Sequence, residues 1–137
     1  MEIDIELLKK EAEQGNAESQ YSLGHCYFCG NEVEQNYENA VDLWKKSANQ
    51  NYVAAQVNLG VAYYFGLGTS QDYEKAVELW TKAANQGDSD ALVKLAGCYS
   101  EGTGVKVDLN KAVELWEKVM GKKRTFFQSF FNTTTYS

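Results

Sequence analysis

The sequence predicts an all-α protein, a right-handed α-solenoid of three 36-residue helix-turn-helix units. Three observations lead there. The tryptophans fall at 44, 80 and 116, two equal steps of 36 residues. The residues around each repeat as one phrase: NAVDLWKK from Asn39, KAVELWTK from Lys75 and KAVELWEK from Lys111. The 137 residues contain no proline, against a usual share of about 5%, so the commonest helix breaker is missing and glycine punctuates the chain.

Each unit divides into two helices. In the second, B, apolar residues at 76, 79, 80, 83 and 84 keep the i, i+3, i+4, i+7, i+8 spacing of one helix face. Asn36, Asp72 and Asp108 lie just ahead of these helices, where their side chains can accept from the free N–H groups of the first turn. The first helix, A, carries Leu23, Leu59 and Leu95, each four residues before Tyr27, Tyr63 or Tyr99 and therefore on the same face. Gly15 and Gly87 stand where a preceding helix must end in a left-handed residue, and Asn51 fills that slot in the middle unit. Small residues at Gly24, Gly60 and Ala96 let neighbouring helices approach to about 8–10 Å, with Trp and Leu filling the space. Units run over about 15–50, 51–86 and 87–122, and residues 1–121 form the solenoid. Subtracting the period from Leu43, Trp44 and Ala48 gives Leu7, Leu8 and Ala12, so residues 2–13 read as an orphan B helix, a half-repeat that caps the first unit.

Composition narrows the function classes. Nineteen acidic and thirteen basic side chains give a net charge of −6, the wrong sign for a chain that must neutralise nucleic-acid phosphates. No window has the eighteen or more apolar residues of a membrane span, and the start has no secretory signal. Three cysteines are an odd and small number, which suits a reducing, cytoplasmic setting.

The unit Ala-x-x-x-Leu-Gly-x-x-Tyr-x-x-Gly-x-Gly-x-x-x-Asp-x-x-x-Ala-x-x-x-Trp, written by Ala55, Leu59, Gly60, Tyr63, Gly66, Gly68, Asp72, Ala76 and Trp80, resembles the Sel-one-like repeat family, cousins of the tetratricopeptide repeats. The resemblance covers about residues 15–121. Departures are Asn31 and Glu32 for the second loop glycine of unit one, Ala96 for Gly and Val119 for Ala in unit three. It implies a protein-interaction scaffold, an adaptor holding a peptide or protein segment in a concave groove formed by the A helices. On that analogy unit one lines the groove with Glu18, Tyr21, His25, Phe28 and Cys29. Unit two adds Ala54, Val57, Val61, Tyr64 and Phe65, and unit three Asp90, Val93, Gly97, Ser100 and Glu101. The aromatic residues and valines of the first two units are the kind of rigid group that anchors interfaces.

Chemistry has little to work with. His25 is the single histidine, and no Ser or Asp register brings a nucleophile and an orienting acid beside it. His25, Cys26 and Cys29 make only an incomplete zinc site, and Cys26 and Cys98 fall two units apart, about 20 Å, so they share neither a metal nor a disulfide. The Gly66-x-Gly68 and Gly102-x-Gly104 loops lack the third glycine and the lysine of phosphate loops, and read as turns. The expectation is no enzyme, no catalytic residue, no metal and no cofactor. Two alternatives accompany it: an immunity or inhibitor protein occluding a basic toxin, and a β-lactamase-like hydrolase, as some secreted cysteine-rich members of the family are described.

The tail from Lys122 holds three bases and no acid, which leaves residues 1–121 at −9 by difference. Phe126, Phe127, Phe130 and Phe131 share one helical face. Phe127 and Phe131 stand one period beyond Ala91 and Leu95, so the segment reads as a degenerate cap for the last unit, with weak membrane contact as the competing reading. The final NTTTYS reads as a disordered end.

Overall fold

The computed structural model describes residues 3–121, and among these it contains helices and turns with no strand. The elements are α1 (Ile5–Glu13), α2 (Ala17–Cys29), α3 (Tyr37–Asn49), α4 (Val53–Phe65), α5 (Tyr73–Asn85) and α6 (Ser89–Glu101), followed by α7 over 109–121. The cap and the disordered end expected over 122–137 lie outside the described residues. From α1 to α6 each helix packs on the one before and the one after it, the one-dimensional stacking of a repeat array.

The turns follow the side chains that read as punctuation. Asn36, Asp72 and Asp108 accept from the backbone N–H of Asn39, Lys75 and Lys111 at 3.0, 3.1 and 3.0 Å. Gly15, Asn51 and Gly87 have φ of +94°, +64° and +86°, the left-handed residues that reverse the chain between a B helix and the next A helix. Behind these turns the Gln50 amide donates to Gly15 O at 2.9 Å and to Gln20 Oε1 at 2.8 Å. The Gln86 amide does the same one unit on, reaching Asn51 Oδ1 at 3.1 Å and Gln56 Oε1 at 3.0 Å. Gln56 is buried and its own amide donates to Asn51 Oδ1 at 2.9 Å, so the buried polar group is satisfied.

The close approach of A and B helices rests on glycine and tryptophan. A Cβ on Gly24 would stand 2.5 Å from Trp44 Nε1, and one on Gly60 would collide with the indole of Trp80. The indole therefore lies flat against bare backbone, and its N–H donates to a carbonyl of the A helix: Trp44 to Tyr21 O and Trp80 to Val57 O, both at 3.1 Å. Aromatic rings close the other side, Phe28 at 5.3 Å from Trp44 and Tyr64 at 5.5 Å from Trp80. Both tryptophans are 2–3% exposed.

Two sequence expectations change. The orphan helix does not run over 2–13: it spans Ile5–Glu13 with Asp4 as its cap, accepting from Leu7 N at 3.1 Å. This short start explains Glu32. Gly68 and Gly104 are needed because a Cβ would meet the Tyr37 or Tyr73 carbonyl at the start of the preceding B helix. The helix before unit one begins four residues later in register, so Glu32 takes the same left-handed conformation, φ +63°. The second change is Trp116, which is 39% exposed. Ala96 stands in the place of Gly24 and Gly60 and Ser100 in that of the covering ring, and no described helix follows α7 as α6 follows α5.

Trp80→Ala should cost about 3–5 kcal/mol as a large-to-small core change, and Gly60→Ala about 1–3 kcal/mol by overpacking against the indole. Trp116→Ala should cost about 1 kcal/mol, the ordinary range for a partly exposed side chain. Urea unfolding midpoints of the three variants check the order; equal losses at Trp80 and Trp116 would contradict it.

Candidate functional site

The A helices place side chains at fixed register on one face, because residues three and four apart stack along a helix. Positions 25, 61 and 97 are equivalent, and they hold His, Val and Gly. Beside the missing side chain of unit three lies a cleft of about 330 Å3 between α4 and α6. A Cβ on Gly97 would meet nothing within 4 Å. Val61, Tyr64 and Phe65 form one wall, Val93, Gly97 and Cys98 the other, and the edge of Trp80 the floor, with Lys94 and Glu101 at the rim.

Tyr64 is fixed from several directions. Its ring lies 4.9 Å from Phe65, 5.0 Å from Tyr73 and 5.5 Å from Trp80, and its backbone carbonyl accepts from the Gln71 amide at 2.9 Å. Burial raises the pKa of its phenol above the ordinary value, with the Cys98 thiol and the Glu101 carboxylate adding to the rise, while a hydrogen bond with Thr103 works against them. Phe65 leans on this anchored ring yet is 62% exposed. An aromatic ring held by a neighbour and open to solvent offers contact area with little further loss of freedom on binding.

Of the groove residues read from the sequence, Val61, Tyr64, Phe65, Val93, Gly97 and Glu101 meet at this cleft. Tyr21 and His25 line a second, equivalent one of about 390 Å3 with Ile3, Leu8, Ser22, Cys26 and Asn31, where Leu8 takes the register place of Trp80. Tyr21 also packs on Tyr52 at 5.4 Å. Phe28 lies against Tyr37 and Trp44 at 4.9 and 5.3 Å, so its ring covers the tryptophan. Glu18 and Asp90 are exposed in the first turns of α2 and α6, and Ala54 is half-buried in the first turn of α4; none of the three lines a cleft wall. Val57 is a correction: it is buried, part of the core cluster that includes Trp80 and Leu92.

Trp80, Lys94 and Cys98 were not read as groove residues. Trp80 is visible only as core in the sequence, and it is core in the structure too, 3% exposed, while bordering the cleft. Ser100 donates to Gly97 O at 3.0 Å within its own helix. His25 Nε2 and Cys29 Sγ are 3.6 Å apart on the exposed side of α2, while Cys26 turns inward. Among the described residues no three His, Cys, Asp or Glu groups stand close enough to hold a metal, and no helix is long and apolar enough to cross a membrane. The arrangement is suited to holding one bulky apolar side chain between opposite charges.

The family model described as Sel1 repeat matches residues 17–52, 53–88 and 89–118. Among solved structures, a protective antigen present in uropathogenic Escherichia coli strains, displaying an SLR fold, is 38% identical with a TM-score of 0.85 over 88% of this chain and 26% of its own. A Sel1 repeat protein from Oxalobacter formigenes is 34% identical, TM-score 0.80, over 88% of this chain and 49% of its own. This chain thus spans about a quarter and a half of their lengths. Cysteine rich protein B of Helicobacter pylori shares the fold at 23% identity and a TM-score of 0.64, over 86% of this chain and 90% of its own. No curated protein matches the chain.

Burial is the first cause of the raised pKa of both Cys26 and Cys98, so the folded state disfavours their thiolates. Their contribution to stability is present at neutral pH and fades as the pH rises through the raised values. At pH 7 an aromatic disulfide reagent should modify Cys29 alone, the exposed thiol, with Cys26 and Cys98 reacting at alkaline pH or on denaturation. Rapid modification of all three at pH 7 in folded protein would contradict this.

Proposed function

Because the chain belongs to the Sel1 repeat family, we propose that it is a non-enzymatic interaction scaffold whose cleft between α4 and α6 holds an apolar side chain of a partner protein segment. Sel1 repeats generally serve as protein-interaction scaffolds. The observation that carries the finer reading is the gap at Gly97. A helix interior disfavours glycine by about 1 kcal/mol relative to alanine, the space above Gly97 is empty, and nothing in the packing requires the small residue there. What the glycine provides is room beside Tyr64, Phe65 and Val93.

The walls and rim suit a protein ligand. Interface anchors are enriched in aromatic groups seated in pockets with a polar border, and the cleft presents Phe65 and Val93 between Lys94 and Glu101. The net charge of −6 opposes a nucleic-acid partner. A catalytic reading has no geometric support, since the single imidazole faces the other cleft and meets only Cys29.

Gly97→Leu separates binding from folding. The new side chain fills the cleft from its own wall, and loss of the helical glycine should leave stability equal or about 0.5–1 kcal/mol higher. A partner captured by the wild type and then titrated by calorimetry should bind the variant at least about ten-fold more weakly, the loss expected when one central anchor is excluded. Equal affinity for both proteins would remove the cleft from the reading and leave another face of the scaffold.

A further inference from the structure

The outer side of α7 bears Leu109, Val113, Trp116 and Met120, spaced by four, three and four residues and therefore one stripe along the helix. They are exposed by 63, 48, 39 and 59%. In unit two the register partners of Val113 and Trp116 are Val77 and Trp80, exposed by 7% and 3%, because α6 packs on α5. No described helix follows α7. Unit three has also exchanged polar groups for apolar ones at this end. Gln35 and Gln71 each donate to a backbone carbonyl and to the hydroxyl of Tyr37 or Tyr73; the corresponding residues are Val107 and Leu109, both exposed. Contiguous apolar surface of this kind marks a contact waiting for its partner.

We propose that residues 122–131 of the same chain, LysLysArgThrPhePheGlnSerPhePhe, fold back over this stripe and seat Phe126, Phe127, Phe130 and Phe131 on it. The segment follows directly on the described residues of α7, so its effective concentration at the stripe is of millimolar order. One period back, Phe127 and Phe131 correspond to Ala91 and Leu95, buried residues of α6. Its three bases complement a body of charge −9 by difference, with Glu117 exposed on α7 itself and Glu114 shared between Lys111 and Lys118 at 3.7 and 3.9 Å. Rings also replace what unit three has lost: Ser100 and Leu109 stand where Tyr64 and Tyr73 flank Trp80. The crossing differs from that of a regular unit, because Lys123 takes the slot of Gly87 and Arg124 that of the cap Asp88, and a phenylalanine fills a slot where Ala91 is fully buried.

The test uses the full chain in a Cys29→Ser background with Val113→Cys as a reporter on the exposed stripe, Cys26 and Cys98 being buried. Labelling rates and solution mass are compared with and without Phe127→Ser/Phe131→Ser, after circular dichroism shows equal helix content. The expected result is a monomer whose reporter reacts at least about ten-fold more slowly with the phenylalanines present. Equal rates in the two proteins overturn the proposal. Protection that appears only with a dimeric mass and weakens on dilution also overturns it, and assigns the stripe to a second copy.

Discussion

Everything in this array depends on an indole lying against a helix that has no side chain at the point of contact. Gly24 and Gly60 let the backbone of the A helix meet the flat face of Trp44 and Trp80, and the indole N–H then finds the carbonyl three residues before the glycine. One contact therefore fixes helix separation, rotation and register together. A leucine in place of the tryptophan could fill space but could not make the directional bond, and an alanine in place of the glycine removes the space. The core alanines at 40, 55, 76, 83 and 91, all fully buried, extend the same logic, since helices held this close have room for little else.

Unit three shows what happens when the contact is relaxed. Ala96, Ser100 and Leu109 replace the glycine and both aromatic neighbours, and Trp116 emerges into solvent. Leu92 likewise replaces Gln20 and Gln56, so the buried glutamine pair that backs the turns in units one and two is not repeated. The fold of α6 and its approach to α5 survive because those contacts belong to unit two, whose tryptophan is intact. In a stacked array each interface is a nearest-neighbour term, so a unit can lose its outward interface while keeping its inward one.

Much of this was legible in the sequence. The 36-residue period, the left-handed Gly15, Asn51 and Gly87, and the caps Asn36, Asp72 and Asp108 all rest on local chemistry that a single chain displays, and the structure agrees with them. The groove face was legible in part: Val61, Tyr64, Phe65, Val93 and Glu101 meet at one cleft. Val57 was misplaced because helical spacing assigns it to the same side as Val61, whereas the packed core takes it in. Trp80 was hidden for the opposite reason. It is core, 3% exposed, and yet borders the cleft between α4 and α6, a relation between residues of different helices that periodicity does not express. Glu32 in place of a loop glycine signalled a departure, but its cause is the missing first turn of α1, which only the packing reveals.

The cleft and the departures share an origin. The cleft between α4 and α6 sits where the repeat departs from its own pattern, at Gly97, in a register that His25 and Val61 fill in the other units. The break is placed economically. One wall comes from α4, the helix whose tryptophan partner, ring stack and Gln71 clamp are all in place, so Tyr64 and Phe65 are held before any ligand arrives. The other wall comes from α6, where Gly97 and the half-buried Lys94 supply the opening and a charge. A rigid wall facing an open one limits the ordering cost of binding to the ligand's own side chain. The regularity of the middle unit therefore supplies the fixed wall against which the third unit diverges.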